Sequence, residues 1–554
     1  MSNIATKLTY LNGTKQAIKQ TINEDFEVID NNTTFREYAD EISSNNAKYK
    51  DLIPKETKNA TNTLDISNSS GLDKALVTQY GNTYQEEEPT PDTPQEIVNI
   101  SGKSTLKDVR KNLFDGVLEL GNFNTNTGEK VQNNNYIINT NPIPVEELTN
   151  YKISSNGTGI GVYIFEYKED LTYNLSSRKT INADSYLTTN SGTKYINFRT
   201  IDVNTNLQEK IQVEKSSTAS TYEAYKEQSF GLDLKSKNLF DKNNASIFQG
   251  YLDNNSVISR SDAATTIYIP CKPNTTYTVQ KTIGTNNRFC VFTTTDVPVG
   301  GNSALNYVGT RVGADNNTNY TITTPSQANY LCAFVGVETT TPTISEIIAS
   351  IQIEENPTPT EYEPYYNINL CEIDNYKDRI YPLNGKWYLE KKIGKVVLNG
   401  TQTLFKVTTG TTGYYRFNVD IGENIFTTDS TTTVAPIYCN RLVGVTRGNT
   451  YNRIEGIAPT TTSYSYNTFD LYIEAISQMT VEQANTWFSN NPTIVYYPYK
   501  QPTTEEITEN NYPTLYNQLN NIKLYEGVNH LTFTNESGLD VEFDIEYYKD
   551  WKLD

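Results

Sequence analysis

The side chains best placed to do chemistry in this sequence are aromatic rings and amides. Sugars are bound by aromatic faces stacked on their C–H surfaces, with amides, carboxylates and guanidinium groups bonding the surrounding hydroxyls. The chain supplies 41 tyrosines among 554 residues, with asparagine abundant in its turn-like stretches. Four aromatics stand beside turn signals and are the candidate carbohydrate-binding residues. Trp387 and Tyr388 follow Asn384-Gly385, and Tyr414 and Tyr415 follow a Thr/Gly run. Each also has a plainer role, since a tryptophan set opposite an apolar partner would simply fill a core.

Catalytic patterns are sparse. Glycoside hydrolysis needs two carboxyl groups about 5–10 Å apart, and 65 acidic residues neither locate nor exclude such a pair. No Gly-x-Ser-x-Gly, His-Glu-x-x-His or phosphate-cradling glycine loop occurs. His530 is the single histidine, so any triad or imidazole metal site would rest on it alone. Its context, GVNHLTF, alternates like the start of a strand. The five cysteines (Cys271, Cys290, Cys332, Cys371, Cys439) are odd in number and form no C-x-x-C pair. They read as buried small hydrophobes, not as zinc ligands or a disulfide framework. Asp241-Lys242-Asn243-Asn244 and Asp315-Asn316-Asn317 offer oxygen ligands without EF-hand spacing and read as turns. No catalytic residue, metal or cofactor is therefore assigned.

Charge narrows the partners. Lys and Arg total 46 against 65 Asp and Glu, a net charge of −19. Phosphate binding wants a basic footprint, so nucleic acid is not an expected partner. No run of about 18 apolar residues is present, so no membrane insertion is expected. The first residues, MSNI, lack the basic start and apolar core of a secretory signal.

The elements that would position these residues show one dominant pattern, a long repeat. KNLFD stands at 111–115 and again at 237–241, an offset of 239 − 113 = 126 residues. Each copy closes with a related tail, IQVEKSSTASTYEAY at 211–225 and IQIEENPTPTEYEPY at 351–365. That period is the size of a domain, not of a solenoid unit. Short β-branched and aromatic runs can be matched between the copies: 150–153 with 276–279, 161–165 with 289–292, and 195–198 with 330–334. Antiparallel β-sandwich domains in tandem are expected at 111–228 and 229–366.

Residues 1–50 carry the strongest helical signal, with Leu8, Leu11, Ile18 and Ile22 on one stripe and Phe35, Tyr38 and Ile42 on another behind a Thr34/Glu37 capping box. These seven residues are the candidates for oligomerisation or anchoring. Residues 51–110 read as a small β-rich region, with EEEPTPDTP at 86–94 as a semi-rigid linker. A C-terminal β-rich domain is expected at 367–508, including a hairpin at 380–389 and a helix near 480–490. Residues 509–554 read as a short helix followed by terminal strands. The fold class is thus mainly β, with a short α-helical N-terminal anchor.

The KNLFD starts, the two Ile-Gln-x-Glu tails, LCEIDNYKDRIYPLNGKWYLEKKIGKVVL at 370–398, NPTIVYYPYKQPTTEEIT at 491–508 and IEYYKD at 545–550 resemble segments of phage structural proteins. The family comprises tail-fibre, minor structural and receptor-binding proteins of phages that infect low-GC Gram-positive bacteria. ATKLTYLNGTKQAIKQTI at 5–22 with FREYADEI at 35–42 is similar to a leader found on several of them. The resemblance implies a virion protein on tail or head, made in the host cytoplasm before assembly. It also implies other virion proteins as partners through the N-terminus, a host cell-surface glycan as ligand, and a homo-oligomer, most simply a trimer. Two alternatives stay open: a purely architectural baseplate, collar or head-fibre protein, and a surface-polysaccharide depolymerase.

Overall fold

In the computed structural model the described residues run from 63 to 549, apart from 69–72, 175–178, 201–209, 253–257, 260–263, 285–287, 298–306, 314–316, 337–341, 410–412, 422–435, 447–448, 451 and 461–467. The anchor candidates Leu8, Leu11, Ile18, Ile22, Phe35, Tyr38 and Ile42 lie outside the described residues. What is described is mainly β, in many antiparallel sheets with a few short helices.

The centre is a hub that no contiguous stretch of sequence forms. Its first sheet orders the strands Thr63–Asn68, Gly527–Asn535, Lys103–Arg110 and Glu227–Asp233. Its second joins Thr493–Ile507, Lys386–Leu398, Arg379–Leu383 and Asp73–Tyr80, with Phe543–Lys549 also on Asp73–Tyr80. Both sheets contribute to one core, with Ile66, Leu106, Leu531 and Phe533 from the first and Val77, Trp387, Ile507 and Phe543 from the second. Strand Lys103–Arg110 shows the cause, since Ser104, Leu106 and Asp108 alternate inward at period two. The helix Pro513–Asn520 closes the core with Leu515 and Leu519.

Three excursions leave this hub and return to it. Repeat 1 departs after Arg110 and comes back at Glu227; repeat 2 departs after Leu234 and comes back at Tyr366. In repeat 1, the sheet around Val162–Tyr167 and Tyr195–Thr200 shares a core with the pair Asn150–Ser155 and Ile211–Glu214. In repeat 2, Arg288–Thr294 and Tyr330–Gly336 share a core with Thr276–Lys281 and Ile351–Glu354. The third excursion follows a long ribbon in which Lys386–Leu398 pairs with Thr493–Ile507 through a register shift between Lys391 and Ile393. One end of the ribbon packs in the hub through Trp387 and Ile507; the other packs through Leu398 and Val495 in a separate core.

Strand pairing therefore crosses the boundaries expected at 110, 366 and 508, because β ladders join segments without regard to sequence distance. The segment 86–94 is not an interdomain linker. Strands Thr83–Tyr84 and Val98–Asn99 pair on either side of it, which makes it a hairpin loop. The loop is held down where Arg441 Nη1 donates to Pro91 O at 2.6 Å and Gln95 N donates to Asn440 O at 2.7 Å.

Local signals are realised as expected in several places. Asn384 and Gly385 take positive φ values of 51° and 74° between paired strands, the conformation a two-residue hairpin turn requires. The helix Val481–Asn490 starts at a Thr480/Gln483 capping box and buries Ala484 and Phe488.

Candidate functional site

The repeat motifs first explain themselves as structure. Asn112 of the first KNLFD is 1% exposed, and its amide donates to Ile211 O and Glu223 O, both at 3.1 Å. Its Oδ1 accepts from Phe114 N and Val213 N, both at 3.0 Å. Asn238 repeats all four bonds, to Ile351 O (3.3 Å), Glu363 O (3.1 Å), Phe240 N (3.0 Å) and Ile353 N (3.1 Å). The tails match as well. Gln212 accepts from Glu223 N at 2.8 Å, and Gln352 from Glu363 N at 2.6 Å. Glu214 and Glu354 each clamp a hydroxyl residue six positions on, Ser220 and Thr360. A buried amide using its donors and its acceptor ties the start of each repeat to its end.

Phe114 and Phe240 are buried in the repeat cores, while the motif aspartate and the closing tyrosine of each repeat sit at its junction with the hub. Asp115 and Tyr225 of repeat 1 line a cleft of ≈ 510 Å³ against the first hub sheet. Asp241 and Tyr365 of repeat 2 line a cleft of ≈ 470 Å³ against the second. Equivalent residues thus face both junctions. Burial raises the Tyr225 phenol above its ordinary range, helped by its bond to Glu227 and by nearby Asp115. Tyr365 is also raised, by burial first and then by nearby Asp241.

The repeat 1 cleft carries a chain of charges. His530 Nδ1 lies 2.6 Å from Asp65 Oδ1, both on the hub sheet. Lys215 of repeat 1 bonds the other oxygen of Asp65 and sits 2.8 Å from Glu146. Burial alone would raise the Asp65 carboxyl, but the bonds from His530 and Lys215 outweigh it and hold the pKa at about 2. Lys107 pairs with Glu227 at 2.8 Å, and Asn141 donates to Asp115 at 2.7 Å. Tyr151, Pro142, Pro144 and Val145 supply apolar wall. On the opposite, core-facing side of the sheet, burial pushes Asp108 up to about 6, partly offset by the bond from Gln228.

The repeat 2 cleft has a different character. Its charged lining is Asp241, Lys391 and Lys395, with Tyr496 and Tyr499 from the ribbon and Asn243, Asn367 and Asn369. Lys391 pairs with the fully buried Asp378, whose Oδ1 also accepts from Lys392 N at 2.7 Å and Ile393 N at 3.1 Å. Asp378 thereby pins the ribbon at its register shift.

The four aromatics singled out from sequence do not form one site. Trp387 is 2% exposed, and its indole N–H donates to Asn520 Oδ1 at 3.1 Å, so it fills the hub core and offers no free face. Tyr388 is half-buried beside Tyr381, ring centroids 5.8 Å apart. Tyr415 opens a strand of a different sheet and Tyr414 directly precedes it, each half-buried with a cation on its ring: Arg453 at 3.6 Å from Tyr414 and Lys406 at 3.8 Å from Tyr415. The clefts were missed because half of each wall comes from the hub. The legible half was the recurrence of Asp115 as Asp241 and of Tyr225 as Tyr365.

Cys290, Cys332, Cys371 and Cys439 are buried and free, and Cys271 is free and half-buried. The Asp241 loop is a turn, with Asp241 accepting from Asn243 N at 2.9 Å and from Asn244 Nδ2 at 2.7 Å. Among the described residues no group of three or more His, Cys, Asp or Glu is placed to hold a metal, and no helix is long and apolar enough to cross a membrane. No family model matches the sequence, and no curated protein matches it. Among solved structures, the crystal structure of tripeptidyl peptidase 2 aligns with 80% of this chain and 39% of that one, at 12% identity and a TM-score of 0.10. A likeness at that level carries no argument about fold or activity.

Proposed function

We propose that this chain is a structural appendage of a phage particle that attaches to host cell-surface glycan, and that it is not an enzyme. In this reading each repeat is a β-sandwich, residues 1–50 join other virion proteins, and a trimer multiplies weak single-site affinity. The observation that carries the reading is the pair of junctional clefts, each bringing the motif Asp and tail Tyr of its repeat to a wall of hydrogen-bonding side chains. Tyrosine, amide and paired carboxylate are the groups that bind sugar hydroxyls. The test is a pull-down of the full chain on host cell walls beside the Tyr225→Ala/Tyr365→Ala double variant. Saturable binding that falls at least about tenfold in the variant is expected, as loss of two aromatic contacts entails. Absence of binding by a multimerised wild-type chain would retire the reading.

One observation favours the architectural alternative. The end strands Leu118–Leu120 and Ser246–Gln249 of the two large repeat sheets expose Leu120 (58%) and Ile247 (54%). Open edges with apolar side chains suit pairing with a neighbouring protein. Loss of particle incorporation, with wall binding intact, in the Leu120→Lys/Ile247→Lys variant would support it.

A further inference from the structure

The glycan reading leaves the chemical class of ligand open, and the two clefts differ in the feature that selects it. The repeat 1 cleft is lined by four carboxylates (Asp65, Asp115, Glu146, Glu227), two lysines (Lys107, Lys215) and His530. Both lysines are already engaged, Lys107 by Glu227 and Lys215 by Asp65 and Glu146. An incoming anion would meet surplus negative charge, four carboxylates against two lysines that already face them. A cation would find only Asp115 without a lysine, and its oxygens already accept from Val117 N at 3.0 Å and from Asn141 at 2.7 Å.

A neutral polyol needs none of those pairs broken. Paired carboxylates keep unused lone pairs and lysines keep unused protons, so hydroxyl groups can bond at the periphery of each pair. Tyr195 and Tyr225, with Pro142 and Pro144, line the cleft with side chains compatible with sugar C–H groups. His530 stands in the same wall. Its Nδ1 is committed to Asp65, and its Nε2 is shielded, with no hydrogen-bond partner among the described residues.

From this we infer that the cleft between the hub and repeat 1 binds an uncharged saccharide and discriminates against anionic sugars. The inference rests on the attachment reading and deepens it to one cleft and one ligand class. The ≈ 510 Å³ of the cleft suits one or two sugar rings.

The chain's single histidine makes the test direct, because one imidazole spin system reports on one wall of the cleft. Full-length protein labelled with ¹⁵N-histidine is titrated with methyl β-galactoside, N-acetylglucosamine, glucosamine and glucuronate, and wall binding is measured in parallel. Saturable shifts of the His530 signals with at least one of the neutral sugars, and none with glucuronate at the same concentrations, are expected. His530→Gln and the milder Tyr225→Phe should each weaken the neutral sugar about tenfold with melting temperatures near wild type; for His530→Gln the titration is read by calorimetry. Tighter response to glucuronate or glucosamine than to the neutral sugars would overturn the ligand class. Unmoved His530 signals with wall binding intact would overturn the cleft assignment and leave the attachment reading standing. Loss of both would bring down the two together.

Discussion

Repeats 1 and 2 share a scaffold and differ at its rim. Inside, Asn112 and Asn238 make the same four bonds, and the Ile-Gln-x-Glu tails close in the same way. At the rim, Tyr151 accepts from Glu146 N at 2.7 Å and Tyr277 from Lys272 N at 3.0 Å, so the loops superpose in role. Yet the charge pair beside them is reversed. Glu146 faces Lys215 in repeat 1, whereas Lys272 faces Glu355 in repeat 2, both at 2.8 Å. Among the described residues, only in repeat 1 does the pair extend to the hub, through Lys215 to Asp65 and His530. The motif that announces the repeat therefore serves folding, and the residues that vary around it set what each junction presents.

The largest effects should come from the shared scaffold. Asn112→Ala or Asn238→Ala leaves buried carbonyl and N–H groups unpaired, at a cost of about 3 kcal/mol each. Denaturant unfolding should find the two losses equal within about 1 kcal/mol; a difference of several would break the equivalence of the repeats.

Next come the two carboxylates on opposite faces of the hub sheet under repeat 1. Asp108, raised to about 6, favours its neutral form in the fold. Its contribution is present below its unfolded value and lost as pH rises through about 6, so Asp108→Asn should stabilise at pH 8 by about 1–3 kcal/mol and change little at pH 4. Asp65, held at about 2, behaves in the opposite sense. Its contribution is present above its unfolded value near 4 and lost as pH falls towards 2, by about 1–2 kcal/mol after allowance for partial exposure. Melting curves from pH 2 to 8 on wild type, Asp108→Asn and Asp65→Asn separate the two.

A smaller effect should distinguish the reversed pairs. Lys215→Glu gathers three carboxylates at the hub junction and should cost about 1–2 kcal/mol, recovered in part by adding Glu146→Lys. The counterpart Glu355→Lys, in a pair whose lysine is 70% exposed, should cost under about 0.5 kcal/mol. Equal effects at the two sites would mean that Lys215 gains nothing from its reach to the hub.

Much of the local structure was legible. The matched runs at 150–153 and 276–279 are strands in both repeats, the Asn384-Gly385 turn joins the expected hairpin, and Pro513–Asn520 and Phe543–Lys549 stand where a late helix and strand were read. Trp387 was legible as an aromatic near a turn but not as a core residue. Its burial depends on Ile507 across the ribbon and on Asn520 from a distant helix. His530 was legible as the start of a strand, but its setting was not. Asp65 lies 465 residues away in sequence, and Lys215 lies on the first excursion from the hub.

The sequence by itself determined which stretches are strands, which asparagine and glutamine recur to staple each repeat, and that the chain is acidic and mostly β. These follow from side-chain period, turn chemistry and repeated motif, all of which act over a few residues. Only the tertiary structure decided that Thr63–Asn68 pairs with Gly527–Asn535, and with it the hub, the two clefts and the partner of the single histidine. The reason is physical. Any strand offers the same backbone donors and acceptors to any other, and the entropy cost of closing a loop grows only slowly with its length. Sequence distance therefore sets little, and the choice of partner is left to how all the apolar faces can be buried at once.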